Sequence, residues 1–207
     1  MIKRLSTRLW HVTTSIPPIR PENVLPIVIM MILWVVLRQL AISEDNAFVV
    51  SVVVAEAYAI WRNLPNAAYS LKKVESGKPG MLRWPVALLI VLAALQLWLN
   101  NPLFTQRVLT GFSVFFLLIM VFGIRREKDL LDRVAPIAEN DSVTVERVSL
   151  LRINALAAAM VVGVNELLIA FETLSVWITV MPVFVLVLHA FYWFMVLMAL
   201  PSEESAV

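Results

Sequence analysis

Residues 176–200 read VWITVMPVFVLVLHAFYWFMVLMAL, 25 positions without one Asp, Glu, Lys or Arg. A helix of ~20 apolar residues crosses the ~30 Å hydrocarbon core of a bilayer, so this stretch is long enough to span one. Five more apolar stretches precede it, at 24–40, 47–61, 84–99, 108–124 and 150–171, the second and third short enough to borrow flanking residues. Buried helices of a water-soluble domain keep a polar face toward solvent, and these have almost none. The pattern therefore predicts an all-α, polytopic transmembrane helical bundle of about six spans.

The basic residues between the stretches predict orientation. Four lie before the first stretch (Lys3, Arg4, Arg8, Arg20), five between the second and third (Arg62, Lys72, Lys73, Lys78, Arg83), and six after the fourth (Arg125, Arg126, Lys128, Arg133, Arg147 and Arg152, the last in the first turn of the fifth). Only Arg38 and Arg107 fall on the other side, which completes the 17 Lys and Arg of the chain. Under the positive-inside rule this asymmetry places both termini in the cytoplasm. The outer connections, 41–46, 100–107 and 172–175, are short, so consecutive helices should form three antiparallel hairpins opening toward the cytoplasm.

With 207 residues, 60% of them hydrophobic, and a mean hydropathy of +0.84, the chain reads as one membrane unit over 24–200. A basic cytoplasmic tail at 1–23 and an acidic one at 201–207 flank it. The net charge of +2 comes from juxtamembrane residues that match anionic headgroups, so the expected partner is membrane lipid and not nucleic acid. Absence of cysteine excludes disulfides, thiolate catalysis and cysteine-ligated clusters. Polar residues and Pro17-Pro18 interrupt the N-terminal region, so no cleavable signal is expected there. Leu5, Leu9, Trp10 and Val12 are compatible with either an interfacial stripe or an unstructured tail.

The inner segments hold most of the remaining polarity. Residues 63–83, with Pro65, Gly77, Pro79 and Gly80, read as a basic, turn-rich linker. Residues 125–147 mix charge signs beside Leu130, Leu131 and Val134, and read as a continuation of the fourth helix that ends before Pro136. That continuation is either a solvated face or a docking surface.

Ionisable groups inside apolar helices are costly, which makes Glu56, Glu166 and His189 the first candidates for function. Glu56 is expected near the cytoplasmic end of its span, within reach of the interface or of Arg62. Ala155, Ala159 and Gly163 share a helix face with Glu166, a small-residue seam that would bring a neighbouring helix close. Glu166 is then expected to pair with Arg38 or Arg107, and Asn165 to hydrogen-bond to another helix. Proton or ion coupling through Glu56 and Glu166 is the alternative use of these carboxylates. His189 is either a hydrogen-bonded packing residue or a single ligand to a pigment, because the second histidine, His11, lies in the tail. Trp177 and Trp193, with Trp61 and Trp84, fit interfacial anchoring. No nucleophile, metal-ligand or phosphate-loop motif is present, so neither enzymatic activity nor a cofactor is expected.

Arg152, the apolar run into Asn165-Glu166, then Ser175-Val176-Trp177-Ile178-Thr179 and Met181-Pro182 resemble the last two spans of the intracellular septation protein A family of bacterial inner-membrane proteins. Leu97-Trp98-Leu99-Asn100-Asn101 ahead of Phe104 is similar to that family's Leu-Trp-Leu-Gln-Asp segment, and Pro26 to the proline opening its first span. The resemblance runs from about residue 26 to 197, and departs from the family where no lysine follows Trp177 and where Arg107-Val108 stands for Lys-Pro. It implies a divergent, non-catalytic, multi-pass inner-membrane protein of septation, cell division and the cell envelope. Such a protein would act by contacts with other inner-membrane division or envelope proteins, with a homo-oligomer possible. Asn165, Glu166 and Trp177 carry the resemblance, and Arg152, Arg107, Arg38 and Glu56 complete the candidate interaction residues.

Overall fold

A computed structural model describes residues 10, 12–19, 21–73, 83–134 and 142–199, with side chains described for all of these but 22, 66–73, 128–134 and 142–147. The described residues are mostly helical, without a strand. Six helices follow in order: α1 (Pro21–Gln39), α2 (Glu44–Lys73), α3 (Arg83–Leu99), α4 (Pro102–Val134), α5 (Ser142–Phe171) and α6 (Leu174–Ala199). Four of them contain stretches long and apolar enough to cross a membrane: Glu44–Pro65, Pro102–Glu127, Val148–Phe171 and Leu174–Ala199. The apolar parts of the other two, Asn23–Gln39 and Arg83–Leu99, are shorter. At 1.5 Å per residue each reaches about 26 Å, a little under the ~30 Å of a hydrocarbon core.

Several boundaries differ from expectation for identifiable reasons. Helix α1 starts at Pro21 and holds Pro26 inside it, so Pro26 does not open the helix. Proline suits the first helical turn, where its missing N–H has no intrahelical partner to lose. Helix α2 runs on through Pro65 to Lys73, so residues 63–73 are helix and not linker. Pro65 removes one backbone bond, while Ala67, Ala68, Leu71, Lys72 and Lys73 are strong helix formers that carry the helix onward. The remainder of the expected linker, 74–82, the break at Pro136 and the acidic tail 201–207 lie outside the described residues, as does most of the basic tail.

The tight connections are built from local chemistry. After α1, Ala41 adopts a left-handed φ of 57°, and the N–H groups of Ala41 and Ile42 donate to the carbonyls of Arg38 (3.2 Å) and Leu37 (3.2 Å). After α3, Asn100 takes φ 46° and its N–H donates to the Gln96 carbonyl at 3.0 Å. Asn101 then caps α4, its Oδ1 accepting from the Phe104 N–H at 3.1 Å, with Pro102 in the first turn. Thr173 does the same for α6, its Oγ1 accepting from the Val176 N–H at 3.4 Å.

The chain divides into two compact units. One comprises 20–107 with 172–179; the other comprises 1–19, 108–171 and 180–207. In the first, α2 packs against α1 and α3. The start of α2 is its core: Ala47, Phe48, Val49, Ser51, Val52, Val53 and Ala55 are all buried. Phe48 meets Trp34 of α1 edge to face (6.3 Å between ring centres) and Trp177 of α6 (5.2 Å). Such aromatic pairs contribute about 0.5–1.5 kcal/mol beyond their buried area. Trp177, only 4% exposed, is thus a core residue and not an interfacial anchor, whereas Trp61 (70%) and Trp84 (83%) project outward.

In the second unit α4 and α5 run antiparallel, because Thr110 meets Glu166 and Gly123 faces Leu151. The close approach is made at Gly123, where an added Cβ would lie 3.4 Å from both Leu151 methyl groups. The expected seam does not supply it. Ala159 and Gly163 are exposed, a Cβ on Gly163 would meet nothing within 4 Å, and the buried stripe of α5 runs through Ala158, Asn165 and Leu168 instead. Small residues permit close approach without selecting which face is used.

The left-handed turn at Ala41 generates a stability prediction. An L-residue pays roughly 1–2 kcal/mol for this conformation and glycine does not. Ala41→Gly should therefore stabilise the α1–α2 turn by about 1 kcal/mol, offset in part by the greater backbone freedom of glycine when unfolded, read as a raised midpoint in denaturant titration in detergent.

Candidate functional site

Two contacts between helices collect the polar side chains of the apolar segments. The first lies between α4 and α5. Asn165, fully buried, donates its Nδ2–H to Thr110 Oγ1 at 2.9 Å, and the Thr110 hydroxyl donates to Glu166 Oε1 at 2.7 Å. The three groups form one directed chain: amide to hydroxyl to carboxylate. Thr110 can serve both neighbours because a hydroxyl accepts and donates at once. Asn165 and Glu166, adjacent in sequence, reach the same atom because Thr110 sits between their two directions on the facing helix.

The second contact lies between α2 and α3. Gln96, 1% exposed, donates Nε2–H to Glu56 Oε2 at 3.1 Å. Glu56 is 12 residues into the apolar part of α2, Glu44–Pro65, and so near the middle of that part. The expected place shifts because α2 begins three residues earlier and its apolar part ends four residues later than the 47–61 stretch. Gln96 Oε1 is buried and without a hydrogen-bond partner among the described residues, as is Thr105 Oγ1.

The remaining candidates are placed elsewhere. Arg38 stands 3.8 Å from Glu44 across the α1–α2 turn and 5.7 Å from the Trp34 ring, and Glu44 accepts from Ser175 Oγ at 3.4 Å. Both ends of the Arg38–Glu44 pair are about two-fifths exposed, where such pairs contribute ~0–1 kcal/mol. Arg107 is exposed, three residues ahead of Thr110 on α4. Arg152 is exposed on α5, 14 residues from Glu166 or about 21 Å along the helix, and so takes no part in the Thr110 chain. His189 packs edge to face on Trp193 at 6.4 Å with a buried Nε2 that has no hydrogen-bond partner among the described residues. No group of three His, Cys, Asp or Glu able to hold a metal occurs among the described residues.

Thr110 and Gln96 are the residues that a search restricted to ionisable groups passes over. Their signal is present in the sequence: each is a neutral hydrogen-bonding side chain within an otherwise apolar helix, a type that commonly bonds across helices in membranes.

Interhelical hydrogen bonds in membranes are worth about 0.6–2 kcal/mol each. Thr110→Val keeps the shape of the side chain and removes both bonds, leaving Asn165 buried without its acceptor. It should destabilise the folded protein by about 1–3 kcal/mol in denaturant titration, while Thr110→Ser, which keeps the hydroxyl, should stay close to the parent.

No family model, curated protein or solved structure matches this chain.

Proposed function

We propose that the chain is an integral protein of the bacterial inner membrane that crosses it six times with both termini in the cytoplasm. It acts without catalysis, as a scaffold of the septation and cell-envelope type. Its means are helix–helix and cytoplasmic-loop contacts with division or envelope proteins or with a second copy of itself. The observation that carries this reading is the Asn165–Thr110–Glu166 chain, in which polar groups of the apolar helices are used to hold one helix against another. The fifteen-to-two distribution of basic residues supports the orientation. Helices α1 and α3 count as spans on this reading, their modest shortfall being met by local thinning of the bilayer or by flanking side chains. The septation assignment draws on the resemblance of the Asn165-Glu166 and Trp177 segments.

A second reading, a small transporter or permease subunit, draws on Glu56, a carboxylate in mid-helix with a neutral amide partner. A third, a pigment- or cofactor-binding subunit, draws on the bare Nε2 of His189. The three differ in what purification yields. The scaffold co-purifies with partner proteins and gives no flux in proteoliposomes; the transporter gives pH-linked flux; the pigment protein absorbs in the visible and loses the band on His189→Ala.

Reporter fusions at both termini and after Arg126 should all report the cytoplasm. A deletion strain should show septum or envelope defects under osmotic stress that Glu166→Ala fails to rescue. Normal morphology of the deletion strain under that stress would count against the scaffold reading.

A further inference from the structure

We propose that Glu56 and Gln96 form a proton-binding site between α2 and α3, with Glu56 taking up and releasing the proton and Gln96 reading its state. Three observations meet there. Gln96 is the one hydrogen-bond or ion-pair partner of Glu56 among the described residues. Gln96 is fully enclosed, and among the described residues only one end of its amide is used: Nε2 donates to Glu56 Oε2, while Oε1 is buried and without a partner. Glu56 sits near the middle of a helix long and apolar enough to cross a membrane, where a charged side chain is costly, and Gln96 meets it from the last turn of α3.

The two ends of a primary amide are interchangeable in shape and opposite in chemistry. Ionised, Glu56 can only accept, and it takes the Nε2–H of Gln96. Once a proton from solution bonds to a carboxylate oxygen, Glu56 carries an O–H and needs an acceptor. A half-turn of the Gln96 amide brings Oε1, the unused atom, to face that O–H. One proton is gained, one hydrogen bond breaks and one forms, and nothing else is consumed. A proton is the ligand this pair can hold, since one carboxyl and one amide oxygen share a single hydrogen, whereas hard metal cations take six or more oxygens.

The other charged or titratable groups whose side chains are described on the helices of this unit lie away from the pair. Arg38 and Glu44 engage each other at the α1–α2 turn, beside exposed Asp45. Tyr58, packed against Trp61, and exposed Arg62 follow Glu56 by two and six residues, 200° and 240° around α2. Exposed Arg83 is 13 residues from Gln96 at the far end of α3, and Arg107 and Glu172 are exposed.

The test is infrared difference spectroscopy of the full chain in proteoliposomes, stepped between acidic and alkaline buffer. Exposed carboxylates also protonate in acid, so the band sought is the high-frequency carbonyl band of an enclosed, protonated carboxyl, which should appear on acidification. It should be lost in Glu56→Gln, be shifted in frequency in Gln96→Leu, and persist in Glu166→Gln. A band that survives Glu56→Gln, or one that Gln96→Leu leaves at its original frequency, overturns the site. So does a carboxylate signal that responds to sodium or potassium at fixed pH and not to pH itself. Should Glu56→Gln fail to fold, Gln96→Leu still decides, because it keeps the carboxyl and removes only its reader.

Discussion

A helix that is apolar on every side has nothing but itself and its neighbours with which to satisfy polar groups, and most of this molecule follows from that. Its backbone must close every hydrogen bond within the helix, which is why the described residues are mostly helical. Its polar side chains gain by finding each other, because leaving one unpaired in an apolar surrounding costs several kcal/mol. Thr110, Asn165 and Glu166 do so between α4 and α5; Glu56 and Gln96 do so between α2 and α3. Polar residues here act as the specific fasteners between surfaces that apolar packing alone would leave free to slide.

The two contacts differ in a way that bears on their use. The α4–α5 chain runs from donor to acceptor without an unused member among its three bonded atoms, and so favours one arrangement. The α2–α3 contact leaves an amide oxygen buried and without a partner among the described residues. The two contacts are built from the same residue types and are distinguished by whether every polar atom is already occupied among the described residues.

Aromatic packing adds the remaining specificity. Phe48 is held between Trp34 and Trp177, which ties the start of α2 to α1 and to the first turn of α6. Beside this cluster the Arg38–Glu44–Ser175 contacts are exposed and contribute less, serving register more than stability.

Helical class, the approximate position of each helix and the charge asymmetry were legible in the amino-acid order alone, because hydropathy over ~20 residues and the count of Lys and Arg between stretches are local sums that need no neighbour. So was the prominence of Glu56, Asn165 and Glu166, since a polar group in an apolar run stands out against its own surroundings. What they bond to was not legible. Thr110 and Gln96 are partners by virtue of helix rotation and stagger, and the buried stripe of α5 at Ala158, Asn165 and Leu168, not the small-residue seam beside it, depends on which side α4 approaches. Trp177 likewise reads as an anchor in one dimension and proves to be core in three. Periodicity places residues on a face; only the packed neighbours decide which face is covered, because side-chain contacts between helices are pairings of distant positions that no local sum contains.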